Sequence, residues 1–176
     1  MKIHRTEGFA VIDMVFVCGI IGLLSSIAVP KLVLAKQAAG AASAIGSMRT
    51  IASSQLTFAL TCGNGFYAPN LSTLGRPGAG STDPFIGAGL GVGNTVQKSS
   101  YRFRMDGAPF AGAPASCNGL GVGAAARGYR AAADPTDPGN PRYFGVNSNA
   151  AIYEHVSTLF DDIPEVGESP IGVELR

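Results

Sequence analysis

From residue 9 to residue 29 the chain is apolar at almost every position, and the one charged interruption is Asp13. These roughly 21 residues, at about 1.5 Å of helical rise each, reach about 30 Å, the thickness of a bilayer core, so the stretch predicts a membrane-spanning helix. A carboxylate within such a span costs about 2.5 to 3.5 kcal/mol on insertion scales and by default marks a functional residue that needs a partner. Past Pro30 the pattern changes from continuous to periodic. A proline inside a helix removes one hydrogen bond and kinks it. Yet residues 31–60 are rich in Ala, Leu, Gln and Ser with no further proline, which predicts one bent helix over 9–61. Leu34, Ala38, Ala41, Ile45, Met48, Ala52 and Ala59 recur alternately four and three apart, with Gln55 filling the gap, and predict a face able to pack on a sheet. Lys36, Ser43, Ser47, Arg49 and Ser54 mark the opposite face, and Cys62-Gly63-Asn64-Gly65 supplies a glycine stop. Gly19, Gly22, Ser25 and Ser26 are either ordinary membrane-helix composition or small surfaces that let helices approach closely.

The remainder reads as a small sheet with much turn. Residues 66–75 offer a short helical turn, with Asn70 placed to cap it. Residues 75–95, with RPGAGSTDP and GAGLGVGN, are too glycine-rich for a core element and read as a flexible connection. The Gly87-Ala88-Gly89-Leu90-Gly91 run lacks the preceding strand and following helix that a dinucleotide site requires. Alternation returns at 96–104, where Tyr101 and Phe103 alternate with Arg102 and Arg104, and predicts a half-buried antiparallel strand. Further strands are predicted at 128–133 and 142–146, joined by the proline-rich DPTDPGNP turn, and at 150–155 after an Asn147-Ser148-Asn149 turn. The fold class is therefore α+β: a long bent N-terminal helix, its first half membrane-spanning, packed on a small antiparallel sheet.

Charge orients this arrangement. Lys2 and Arg5 precede the apolar run, which by the positive-inside rule holds the N-terminus in the cytoplasm and exports the bulk of the chain. With Cys62 and Cys117 both in the exported part, an oxidising compartment favours a disulfide between them; two free thiols or a metal pair are the alternatives, and there is no CxxC. Cys18, inside the apolar span, reads as packing. With 176 residues, one domain beyond the anchor is expected, and a formal charge of +1 gives no bulk attraction to nucleic acid.

At the N-terminus the residues form a specific constellation: Glu7-Gly8-Phe9, a carboxylate five residues past the glycine, and Pro30 closing the apolar run. This resembles the class III signal of type IV pilins and type II secretion pseudopilins. The resemblance implies that a prepilin peptidase cuts between Gly8 and Phe9, dividing the chain into a leader (1–8), a membrane and polymerisation half-helix (9–30), an amphipathic half-helix (31–62) and a globular β domain (63–176). Cleavage takes Lys2 and Arg5 from thirteen cations and Glu7 from twelve carboxylates, leaving eleven of each. In that family the fifth mature residue, nearly always Glu, pairs with the N-terminal amine of a neighbouring subunit; Asp13 stands there in this chain, one methylene shorter. Phe9, Asp13 and Pro30 are then assembly residues, and the implied partners are further copies of the chain, the peptidase, an inner-membrane platform protein and an ATPase. The segment GYRAAADPTDPGNPRYFGVNSNAAIYE is more loosely similar to the C-terminal sheet of pilin-like proteins. The expected function is a filament subunit held first in the inner membrane and then displayed at the cell surface. A periplasmic secretion pseudopilus is the alternative, although the chain has no Trp and so lacks the tryptophan-containing loop of the major pseudopilin. A membrane-anchored binding module that never polymerises is a third possibility.

Other chemistry has thin support. His155 is the only histidine past the leader and no GxSxG surrounds a serine, so a catalytic triad is not expected and the chain is read as a non-enzyme. Phe9, Phe16 and Phe58 are too sparse for an aromatic conduction path. No cofactor is implied, with Asp161 and Asp162 as weak calcium candidates that lack DxDxDG spacing. Arg102, Arg104, Arg127, Arg130 and Arg142 beside Tyr101, Tyr129 and Tyr143 are the residues a DNA-binding role would use, and ordinary solvated arginines on strand faces would look the same. The acidic tail, with Glu154, Asp161, Asp162, Glu165, Glu168 and Glu174, either meets the basic sheet edge or is solvated.

Overall fold

The computed structural model describes residues 7–175, with side chains from residue 11 onward. Two compact units are present, 1–39 and 40–176. The first is the N-terminal part of α1 (Glu7–Thr61), a helix that continues through Pro30. The second holds the rest of α1, two one-turn helices, α2 (Leu71–Leu74) and α3 (Ala88–Gly91), and six strands: β1 (Thr95–Lys98), β2 (Tyr101–Asp106), β3 (Arg130–Pro135), β4 (Tyr143–Asn147), β5 (Ile152–His155) and β6 (Val173–Leu175). The strands form one antiparallel meander in chain order, with long segments between β2 and β3 and between β5 and β6. The α+β class is as expected.

In the second unit, α1 and the residue that follows it bury a stripe of Ala41, Ala44, Met48, Ile51, Gln55, Phe58 and Cys62 against Val96, Tyr101, Phe103, Met105, Phe144 and Val146 of the sheet. The spacing alternates three and four, as an apolar face of a 3.6-residue helix should. This stripe is rotated from the predicted face. Ala41, Met48, Gln55 and Ala59 are buried, whereas Ile45 and Ala52 flank the contact and Leu34 and Ala38 are exposed. Ser47 and Ser54, predicted to face outward, are buried instead. The predicted face combines two adjacent faces of the helix, because alanine fills both and carries little polarity contrast. Near its end α1 is clasped by an amide: Gln55 Nε2 donates to the Ala68 carbonyl at 2.8 Å, and the Ala68 N–H donates to Gln55 Oε1 at 2.9 Å. A single side chain thus satisfies both polar groups of a buried peptide segment, in the way a strand neighbour would.

The predicted strand over 96–104 is two strands. Ser99 and Ser100, at φ of 51° and 64°, both take the left-handed conformation of a type I′ turn, so the chain reverses there and Lys98 faces Tyr101. Serine at both turn positions hid the reversal, because Asn-Gly is the usual signal. β6 was also unforeseen: Val173-Glu174-Leu175 is too short to alternate convincingly in sequence. The DPTDPGNP turn between β3 and β4 and the turn into β5 are as expected. Asn70 caps α2, its Oδ1 accepting from the Thr73 N–H at 3.0 Å. The glycine-rich stretch 75–95 is not a loose connector. It contains α3 and anchors itself through buried Ile86 and Leu90, and Gly91 meets Gly75 so closely that a Cβ on Gly91 would lie 2.7 Å from the Gly75 Cα. The glycines there are for backbone contact rather than flexibility.

The sheet face away from the helix carries a second, smaller core, where Leu159 and Ile163 of the segment after β5 pack with Tyr153 and cover Gly145. Asn147 secures this cover from below, donating to the carbonyls of Pro164 and Gly167 at 2.9 and 2.7 Å.

Gln55→Leu leaves the buried N–H and C=O of Ala68 without partners, at about 1 to 3 kcal/mol per group. Chemical denaturation should show that loss, and Gln55→Glu should recover only the half that accepts. Burial pushes the hydroxyls of Tyr101 and Tyr129 to raised pKa values, Tyr129 the further of the two. Above about pH 10 the unfolded chain releases tyrosine protons that the fold retains, so stability is full below that pH and falls as pH rises through it. Thermal melts from pH 8 to 11 should show the decline, and Tyr129→Phe should reduce it.

Candidate functional site

In the first unit every large apolar residue that is described lies open to solvent: Val11, Ile12, Met14, Val15, Phe16, Ile21, Leu23 and Leu24 are between 56% and 72% exposed. These positions run around the whole circumference of the helix. A helix apolar on all sides is one that another apolar medium must cover. It is also long and apolar enough to cross a membrane. Asp13 is exposed on this cylinder, with Ile12 and Met14 beside it in sequence and no ion-pair partner among the described residues. Gly19 leaves a notch bounded by Val15, Phe16, Ile20 and Leu23, and a Cβ there would touch nothing within 4 Å. Gly8 and Phe9 fall in the opening residues of α1, whereas residues 1–6, with Lys2 and Arg5, lie outside the described residues. Cys18 is a free, exposed thiol on the same cylinder.

The expected disulfide is present. Cys62, just past the end of α1, is bonded to Cys117 with their Cα atoms 4.9 Å apart, and the Cys117 N–H donates to the Cys62 carbonyl at 3.1 Å. The bridge ties the end of the helix to the long segment between β2 and β3. Gly78 passes beside it, since a Cβ there would come 2.8 Å from Cys117 Sγ.

The arginines singled out in the sequence do not gather into a cationic surface. Arg104 pairs with Asp134 at 2.5 Å, Arg130 with Asp106 at 3.8 Å and Arg142 with Glu154 at 2.5 Å, each pair joining neighbouring strands. Glu154 holds both Nε and Nη2 of Arg142, and that hydrogen bonding raises the guanidinium above its usual pKa. Arg104 and Arg130 also flank the Phe160 ring at 4.4 and 5.3 Å, and Arg127 lies 3.6 Å over Phe110, which stacks on Phe66. Tyr101 and Tyr129 are buried and offer no stacking face. These partially exposed pairs contribute about 0 to 1 kcal/mol each and serve mainly to hold the outer cover on the sheet. The part played by Phe160 had no signal in the sequence, because its partners lie 56 and 30 residues upstream.

The acidic tail divides. Glu154 takes Arg142, and Glu165 Oε1 accepts from the Ala108 N–H at 2.8 Å, while Asp161 and Asp162 are exposed. No group of three or more His, Cys, Asp or Glu gathers among the described residues, so no third side chain of these types joins the two aspartates. No protein-family model matches this chain, and neither does a curated protein or a solved structure.

Opening the Cys62–Cys117 bridge frees a loop of 55-residue separation, which in the chain-entropy model lowers stability by about 4 kcal/mol. The Cys62→Ala, Cys117→Ala double variant should therefore melt several degrees lower, and reductant should lower the melting temperature of the parent but not of the variant.

Proposed function

We propose that this chain is a type IV pilin-like structural subunit that polymerises into an extracytoplasmic filament through the apolar half of α1. The observation that carries the proposal is the exposed apolar cylinder over residues 11–29 with one charged residue, Asp13, near its start. In a bilayer the cylinder is covered by lipid. Once withdrawn, it would expose side chains that each favour burial by about 1.5 to 3 kcal/mol, and the same segment of further copies is the medium that matches it in length and apolarity.

The processing step gives Asp13 its partner. Cleavage between Gly8 and Phe9 by a prepilin peptidase creates an ammonium at Phe9, four residues before Asp13 in sequence. A carboxylate and an ammonium are each costly alone among apolar helices and offset one another when paired. Pairing between copies makes assembly conditional on cleavage and sets the stagger of one subunit on the next. The shorter side chain of Asp draws the amine closer to the α1 backbone than Glu would. The globular unit, fastened by its disulfide and sheet, remains outside as the displayed surface.

Asp13→Ala removes one charge of the pair and strands the other, an effect of about 3 to 5 kcal/mol per contact. Filament yield in sheared surface fractions should collapse while membrane insertion and cleavage persist, and Asp13→Glu should retain assembly. Unchanged yield for Asp13→Ala would contradict the proposal, and a chain that stays membrane-anchored without filaments in its unaltered form would favour the non-polymerising module.

A further inference from the structure

We infer that the sheets of neighbouring copies join edge to edge, the outer edge of β6 in one copy pairing with the outer edge of β1 in the next. This rests on the filament reading, since it needs copies that share one orientation.

Both edges are open. Beyond the ladders to β2 and β5, no backbone group of residues 95–98 or 173–175 has a hydrogen-bond partner among the described residues. Thr95, Gln97, Lys98, Val173 and Glu174 are all exposed. Open edges are templates for another strand, and proteins usually guard them with proline, a bulge or an outward lysine. Neither edge has a proline, and the Lys98 ammonium is turned to Ser47 Oγ at 3.3 Å.

Strand direction permits the join. In a six-stranded antiparallel meander β6 runs opposite to β1, so two copies in the same orientation present antiparallel edges to each other. A contact between two different patches does not close on itself and propagates, as a filament requires. Side-chain faces also agree. Val96 and Leu175 both pack on the helix-side core, whereas Glu174 pairs with Tyr153 on the opposite face and Gln97 pairs with Arg102. Placing Glu174 opposite Gln97 keeps the apolar residues on one face, and a slip by one residue would reverse them. Charge then matches. Glu174 would lie two strand spacings, about 9.5 Å, from Arg102 on the same face. Among the described residues neither has an ion-pair partner. The joined segment is only three or four residues long, so the contact is weak alone and depends on the high local concentration that assembly provides.

Cysteines at directly opposed antiparallel positions come within disulfide reach. In the full-length chain with Cys18→Ser, filaments carrying Gln97→Cys together with Glu174→Cys should give a ladder of oxidised oligomers on non-reducing gels, and either substitution alone should give none. Filaments that form without a ladder would overturn the edge contact and leave the filament reading standing; failure of the unaltered chain to form filaments would end both. If the paired cysteines themselves block assembly, charge reversal decides. Arg102→Glu and Glu174→Arg should each lower filament yield by about two- to fivefold, the range of a surface ion pair, and together should restore it. No restoration would overturn the contact.

Discussion

One helix has to satisfy two different surroundings, and the rest of the molecule follows from that demand. Over residues 11–29 α1 is apolar on every side and exposed, so it requires a medium that is not water. From Ala41 onward only one stripe is apolar, and the sheet is that stripe's medium. Asp13 is the exception inside the first segment, and its charge is what turns a general demand for cover into a demand for one particular partner. Lipid can cover valine and leucine indefinitely, but it offers a carboxylate nothing. In the proposed filament a cleaved neighbour would offer both apolar cover and an ammonium.

The second unit has a core of its own, closed without any residue of the apolar segment. Its core is closed by large side chains from both layers, with Phe58, Met48 and Ile51 from the helix meeting Tyr101, Phe103 and Phe144 from the sheet. The other sheet face is covered by the chain's own segment around Leu159 and Ile163, and arginine pairs across strands hold that cover through Phe160. Charges that looked in sequence like a ligand surface are therefore largely turned inward to structure. Arg102 is the exception, and it stands near an open edge.

What could be read from sequence followed the range over which each signal acts. The long helix, the cap at Asn70, the turn at DPTDPGNP and the strands around Tyr101 and Tyr143 rest on neighbours within a few residues, and they were legible. The Cys62–Cys117 bridge was inferred from compartment and count rather than pattern. The rotation of the buried helix stripe was not legible because Ala38, Ala41, Ala42 and Ala44 differ little in polarity, so only the sheet decides which of them is covered. The type I′ turn at Ser99-Ser100 lacked its usual glycine. The packing of 75–95 depends on Gly75 meeting Gly91, a contact between positions whose glycines suggest flexibility when seen alone. The apolar half-helix was legible, because continuous apolarity along a helix can be read without knowledge of any distant contact.

In the proposed filament the amine that cleavage would create is the partner of Asp13 and sets the register of one copy on the next. Intact-mass spectrometry of the subunit recovered from sheared surface fractions measures that most directly. The account predicts a chain that begins at Phe9, with residues 1–8 removed and the disulfide intact. A chain recovered there with Met1 still attached would contradict it.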